Sequence, residues 1–161
     1  MRVTVLCDAS YCPDYKLAGY GFWIACKRGK LGGGGQIIES VGDTNTAEMM
    51  AICNAIYHGV AARLIERADE ILIQTDSLAA IDRLRGGRVV TITEQQSRVI
   101  SYYQELILRL NLAIEFRHVK AHTESKLPRF TANRMCDKRA KLHMRKARAT
   151  AIAAPHLKQI S

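Results

Sequence analysis

Short apolar runs alternate with longer amphipathic segments along the chain, and this alternation predicts an α/β fold. The first run, residues 2–8, is rich in β-branched residues and has the length of a buried strand. Two further strands are predicted at 18–26 and 36–41. The segment between them contains four consecutive glycines, which we interpret as a flexible hairpin turn because no phosphate-binding Gly-Lys-Ser/Thr motif follows.

Helices and strands alternate in the rest of the chain. Apolar residues recur at three- and four-residue spacing from 46 to 67, and Thr93-x-x-Gln96 has the spacing of a capping box. The later predicted elements are a helix at 46–67, a strand at 70–75, helices at 77–85 and 93–110, a strand at 113–119 and a helix at 131–148. Hairpins pair antiparallel and helical crossovers pair parallel, so we predict a mixed five-stranded sheet flanked by helices. One domain, 1–150, and a tail, 151–161, are expected.

The composition is that of a soluble globular protein with a basic surface. The chain has 161 residues, is 48% hydrophobic, and has no apolar run of the roughly 18 residues that span a membrane. Its 24 Lys and Arg exceed 15 Asp and Glu, which favours a polyanionic partner such as nucleic acid, although a basic protein without such a partner is the alternative. Five scattered cysteines without a Cys-x-x-Cys pair predict buried free thiols. We expect a cytoplasmic monomer that does not bind membranes.

Four carboxylates stand where the predicted elements would bring them to one edge of the sheet. Asp8 follows the first strand and Asp76 the fourth, and parallel strands present their carboxyl ends at the same edge. Glu48 lies near the start of the crossover helix and Asp137 lies in the last helix. Four such charges would repel one another unless cations lay between them, and two divalent ions would offset them. Oxygen ligands favour Mg²⁺ or Mn²⁺.

Three of these acids also have a purely structural alternative. Asn45-x-x-Glu48 has capping-box spacing, and Asp76 could belong to the cap of the following helix. Asp137 could pair with a neighbouring cation on the surface. Asp8, a charge directly after an apolar strand, is the most difficult to explain in this way. The order strand, helix, strand, helix favours a common site.

A histidine precedes the last of these acids. His122 lies in a polar loop after the fifth predicted strand, from which it could approach the carboxylates and transfer a proton. An exposed loop histidine without such a role is the alternative.

Five segments, taken in order, resemble the motif set of type 1 ribonuclease H over residues 1–145. They are VLCDAS (5–10), NTAEMMA (45–51), IQTDS (73–77), VKAHT (119–123) and NRMCDKRA (133–140). The resemblance implies a ribonuclease H-like sheet of three antiparallel strands followed by two parallel ones. It also implies metal binding by Asp8, Glu48, Asp76 and Asp137, assistance from His122, and substrate contacts by Ser10, Asn45, Ser77 and Asn133.

The implied activity is endonucleolytic hydrolysis of the RNA strand of RNA–DNA hybrids. It would use two Mg²⁺ ions, or Mn²⁺, and leave 5′-phosphate and 3′-hydroxyl ends. Two alternatives stay open, namely a DNA nuclease of the same fold, such as a junction resolvase, and a non-catalytic nucleic-acid-binding module. The chain departs from the family at Ala9, where glycine is usual, and it lacks a long basic insertion after Asp76. The Lys and Arg of the last helix could hold phosphates or form a solvated basic face.

Overall fold

The computed structural model describes residues 1–87, 91–120 and 126–154, which form one five-stranded sheet and four helices. The elements are β1 (Arg2–Cys12), β2 (Leu17–Cys26), β3 (Gly29–Gln36), α1 (Thr44–Ala61), β4 (Glu70–Thr75), α2 (Leu78–Arg85), α3 (Glu94–Leu110), β5 (Ala113–His118) and α4 (Pro128–Ala153). The strand order is β3-β2-β1-β4-β5. β1, β2 and β3 pair antiparallel, and β1, β4 and β5 pair parallel. The predicted fold class is confirmed.

Helix α1 packs on the face of β2 that carries Tyr20 and Phe22. Phe22 stacks on the ring of His58 in α1, with 4.8 Å between the centroids. The Tyr20 hydroxyl lies 2.8 Å from Nε2 of the same histidine. Since side chains alternate along a strand, the neighbouring residues of β2 point to the other face of the sheet.

Helix α4 approaches that other face closely because two of the β2 residues there are glycines. A Cβ at Gly21 would lie 2.2 Å from the carbonyl oxygen of Cys136, and a Cβ at Gly19 would lie 2.3 Å from that of Ala140. Both distances are shorter than non-bonded contacts of a real Cβ atom, so the backbone of α4 occupies the space that a side chain at either position would need. Gly21 is the register partner of Asp8 on β1, so this close approach occurs beside the candidate site.

The glycine run is itself the third strand, so the prediction of a turn there and of a strand at 36–41 is wrong. β3 ends at Gln36. A Cβ at Gly33 would lie 2.9 Å from Cζ of Phe22, and one at Gly34 would lie 2.4 Å from a carbonyl oxygen of β2. The glycines therefore make room for the neighbouring strand and its aromatic rings, a requirement of packing that resembles turn composition in the sequence.

Other boundaries differ from the predicted ones. β1 continues to Cys12, so Asp8 lies within this strand and not at its end. α1 begins at Thr44 and ends at Ala61, several residues before the predicted end. α4 continues to Ala153 and so includes the first residues of the predicted tail, whose remaining residues lie outside the described part. The division into domain and tail stays a prediction. None of the helices in the described ranges combines the length and apolar character that crossing a bilayer requires.

We expect Gly19→Ala to lower the free energy of unfolding by roughly 1–3 kcal/mol, because the new methyl group meets the backbone of α4 and that helix must move. Chemical denaturation would measure the change. Gly42→Ala is the matched control, since the nearest atom to its Cβ is the flexible end of Gln95 at 3.2 Å. Equal stabilities of the two variants would contradict the close packing of α4.

Candidate active site

Three carboxylates, from β1, α1 and the residue that follows β4, meet at the edge of the sheet where β4 ends. One oxygen each of Asp8, Glu48 and Asp76 lies within 4.8 Å of the others. The last register pair between β1 and β4 is Leu6 with Gln74, so two residues further along each strand Asp8 comes beside Asp76. The structure thus brings together three of the four predicted metal ligands at distances that one or two cations could bridge.

Glu48 projects into this site from α1 and does not cap the helix. The N-cap is Asp43, whose side chain accepts a 2.7 Å hydrogen bond from the Thr46 amide, so the capping-box alternative for Glu48 is wrong. Glu48 is 7% exposed, and its Oε2 has no hydrogen-bond partner among the described residues. A buried oxygen without a partner costs about 1–3 kcal/mol. A bound cation would remove that cost, so the residues fit a divalent metal.

Burial and mutual repulsion raise the pKa values of the two inner acids. Asp8 is 4% exposed, and its burial, followed by the charges of Asp76 and Asp137, raises its pKa to about 8. A 3.0 Å hydrogen bond from the Ala9 amide to Asp8 Oδ1 acts in the opposite direction and lowers this pKa, but its effect is smaller. Burial, followed by the charge of Asp8, likewise raises the pKa of Glu48. Both carboxyls are therefore unfavourable as anions unless positive charge is supplied.

Asp137 lies beside the three-oxygen cluster and is held by a cation of its own helix. Its charge and its hydrogen bond with Asp8 both contribute to the raised pKa of Asp8. Lys141 Nζ lies 2.8 Å from Asp137 Oδ2, an ion pair of the i,i+4 type. Asp137 therefore does form an ion pair, although with Lys141 and not with the flanking Lys138 or Arg139, and this pair coexists with proximity to Asp8. Ligation of a metal by Asp137 stays a prediction.

The predicted substrate contacts have different surroundings. Ser77 caps α2, since its hydroxyl oxygen accepts a 3.1 Å hydrogen bond from the Ala80 amide. Ser10 is half-buried in β1, two residues after Asp8, and Asn45 is half-buried in the first turn of α1. No contact tests either assignment, and both stay predictions.

Two further assignments concern the loop and the start of α4. Asn133, 6% exposed, lies one turn before Asp137, and its Oδ1 has no hydrogen-bond partner in the described ranges. His122 lies outside the described residues, and its role stays a prediction.

Two residues near the site were missed from the sequence. Gln74 is buried two residues before Asp76 on the same face of the chain, and the described residues offer its Oε1 no partner. Lys141 pairs with Asp137, and the four-residue spacing of these opposite charges was a signal that could have found it. No local pattern identifies Gln74, because its burial depends on the neighbouring strands.

We expect the metal-free protein to lose stability as the pH rises from 5 to 8. The pKa of Asp8 rises from 3.8 to about 8 on folding, so the folded protein binds more protons between these values and deprotonation favours unfolding. Asp8→Asn should largely remove this loss, which amounts to roughly 2–4 kcal/mol between pH 5 and 8. Denaturation in the presence of a chelator would measure both effects.

Asp14→Asn is the control for this experiment, because Asp14 is an exposed acid in the turn between β1 and β2. It should retain the pH dependence of the unmodified chain. Stability that increases from pH 5 to 8, or an equal slope in the chain with Asp8→Asn, would contradict the repulsive cluster.

Comparison with known proteins agrees with this fold. A family model described as RNase H matches residues 1–145. No curated protein matches the chain by sequence. The fold resembles the N-terminal ribonuclease H domain of a Mycobacterium tuberculosis protein, with a TM-score of 0.71, 18% identity, and 93% of this chain and 98% of that chain covered.

Two ribonucleases H1 have similar folds. The enzyme of the archaeon Halobacterium salinarum NRC-1 has a TM-score of 0.70 and 19% identity, with 91% of this chain and 99% of that chain covered. The LC11 ribonuclease H1, solved in complex with an RNA/DNA hybrid, has a TM-score of 0.69 and 15% identity, with 90% of this chain and 98% of that chain covered. The resemblance stated from the motifs is confirmed by the family match, which spans nearly the whole chain. This chain belongs to the ribonuclease H family.

Proposed function

We propose that the protein is a divalent-metal-dependent endonuclease that hydrolyses the RNA strand of RNA–DNA hybrids. The observation that carries the proposal is the cluster of Asp8, Glu48 and Asp76, whose oxygens lie within 4.8 Å of one another. The partnerless Oε2 of Glu48 within this cluster supports a role in binding a cation. Membership of the ribonuclease H family supports the reaction.

The carboxylates divide into the cluster of three and the adjacent Asp137. Asp8, Glu48 and Asp76 would hold one Mg²⁺ or Mn²⁺ ion, and Asp137 would join Asp8 and Asp76 in holding a second. When bound, such ions lower the pKa of water and stabilise negative charge on phosphoryl and leaving oxygens. Lys141 would have to give up part of its ion pair with Asp137 for the second ion to bind.

The chain's own residues orient the reacting groups. A water oxygen forms a bond to phosphorus, the bond from phosphorus to the 3′ oxygen breaks, and a proton reaches that oxygen, giving 5′-phosphate and 3′-hydroxyl ends. His122 would transfer a proton during this exchange, as expected from its place between β5 and α4. The carboxylates of β1, of α1 and of the residue after β4 would set the position of the cleaved phosphodiester.

Two observations support a hybrid as the substrate. The chain carries a net charge of +9, which suits a polyanion. The LC11 ribonuclease H1, which has a similar fold, was solved with an RNA/DNA hybrid. Contacts to 2′-hydroxyl groups distinguish RNA from DNA. Ser10, Asn45 and Asn133 lie near the carboxylates in sequence and could supply such contacts.

The central test is cleavage of a labelled RNA–DNA hybrid in the presence of Mg²⁺. We expect the unmodified chain to cut only the RNA strand, and Asp8→Asn to lower the rate at least about 10³-fold, since several kcal/mol of charge stabilisation depend on the metal site. Asp14→Asn should keep full activity. RNA duplex, DNA duplex and a branched DNA junction complete the substrate set.

Each outcome of this experiment has a definite meaning. Cleavage of the junction but not of the hybrid would assign the chain to DNA and overturn the proposal. No cleavage of any substrate would favour a binding module without activity. Equal cleavage by the Asp8→Asn variant would exclude these carboxylates as the catalytic group.

Metal binding is testable without activity. At Mg²⁺ concentrations about 100-fold above the dissociation constant, binding should raise the free energy of unfolding by ~2.7 kcal/mol. The Asp8→Asn variant should gain much less, and the Asp14→Asn control should gain as much as the unmodified chain. Thermal denaturation over a Mg²⁺ titration measures these gains, and an equal gain in all three proteins would place the ion elsewhere.

A further inference from the structure

The positive charge of this protein is concentrated in one helix. α4 contains eight of the 24 Lys and Arg and one of the 15 Asp and Glu, so it carries +7 of the net +9. The rest of the chain, about five-sixths of its length, is therefore close to neutral. A surface helix of 26 residues normally carries charges of both signs on its solvated face, so a single acid in α4 is unusual.

Four of these cations form the α4 basic stripe, which comprises Lys138, Lys141, Arg145 and Arg148. Their spacing of three, four and three residues places them on one side of the helix. At 1.5 Å per residue the stripe is about 15 Å long. The side of α4 that faces the sheet consists of other residues, namely Cys136, Ala140, Met144 and Ala147, which are buried.

The stripe begins beside the candidate active site. Asp137 immediately precedes Lys138 and is bound by Lys141, which remains 41% exposed. From there α4 passes over Gly21 and then Gly19 of β2, so the stripe extends away from the carboxylates in one direction. A polyanion held at the carboxylates would meet these cations as it leaves the site.

Most of the stripe is not neutralised within the protein. Among the described residues, no hydrogen bond or ion pair involves the side chains of Lys138, Arg145 or Arg148. Arg139 differs, since it donates a 3.2 Å hydrogen bond to the carbonyl oxygen of Phe22 and is fixed against the sheet. Arg139 thus has a structural contact with the sheet, which Lys138, Arg145 and Arg148 of the stripe lack within the described ranges.

We propose that the α4 basic stripe binds backbone phosphates of the nucleic-acid duplex outside the cleaved position. This inference rests on the proposed function, because it takes the duplex at the carboxylates as the polyanion. A length of about 15 Å corresponds to roughly four steps of 3.4 Å along one strand of a duplex. Contacts to phosphates carry no base information, so the stripe contributes affinity and orientation and does not select a sequence.

The test replaces Lys138 and Arg145 with glutamine together and measures hybrid binding in the presence of a chelator over a range of salt. If each of these two cations neutralises one phosphate, their removal should reduce the slope of log affinity against log salt by about 1.8. Between 50 and 200 mM salt, the unmodified chain should therefore lose about 12-fold more affinity than this variant. In cleavage assays the variant should raise KM far more than it lowers kcat.

The matched control replaces Lys27 and Lys30 with glutamine, which removes the same charge. Both lysines are exposed at the β2–β3 turn, at the end of the sheet opposite to the carboxylates. A change of slope equal to that of the stripe variant would show that only net charge matters and would overturn the inference. An unchanged slope in the stripe variant would do the same.

Failure of this inference is distinguishable from failure of the proposed function. If the chain cleaves hybrid but the stripe variant binds and cleaves as the unmodified chain does, only the inference fails. If the chain cleaves none of the substrates, the slope of log affinity against log salt, measured in the presence of a chelator, still shows whether the stripe binds phosphates. A last experiment measures sedimentation of the chain with vesicles that contain anionic lipid. If the stripe variant loses binding to the vesicles but not to the hybrid, the inference is overturned.

Discussion

The close approach of α4 to β2 is the constraint on which the candidate site depends. It is possible because Gly19 and Gly21 leave no side chain between the sheet and the backbone of the helix. Gly21 pairs with Asp8 across the β1–β2 ladder and lies under the residue that precedes Asp137. The same contact therefore positions an acid of the last helix next to an acid of the first strand, although 129 positions separate them in the chain.

This packing produces an electrostatic problem that defines the site's chemistry. Asp8 and Glu48 are buried beside each other and beside further acids, which raises both pKa values. The arrangement costs stability in the absence of cations, and natural proteins retain such costs mainly at functional sites. Outside the cluster the balance reverses, because α4 combines one acid with eight basic residues. A negative centre beside a positive helix suits a metal ion in the centre and a polyanion along the helix.

Local patterns predicted most elements well. β4 occupies 70–75 as expected, and the Thr93 capping box begins α3 with both of its hydrogen bonds formed. These two predictions were correct because the signals they use, strand composition and helix capping, depend on neighbouring residues. The β3 prediction failed because its glycines serve contacts with β2 and α4, and a sequence window cannot distinguish glycine required by packing from glycine required by a turn.

The sequence by itself determined the order of strands and helices, the four acids in that order, and the family that they resemble. Only the tertiary structure decided that Asp8 lies within a strand paired to β2, that Glu48 is buried, and that three carboxylate oxygens come within 4.8 Å. The reason is physical. Secondary structure depends on residues a few positions apart, whereas burial, unpaired oxygens and shifted pKa values arise from groups that distant segments bring together.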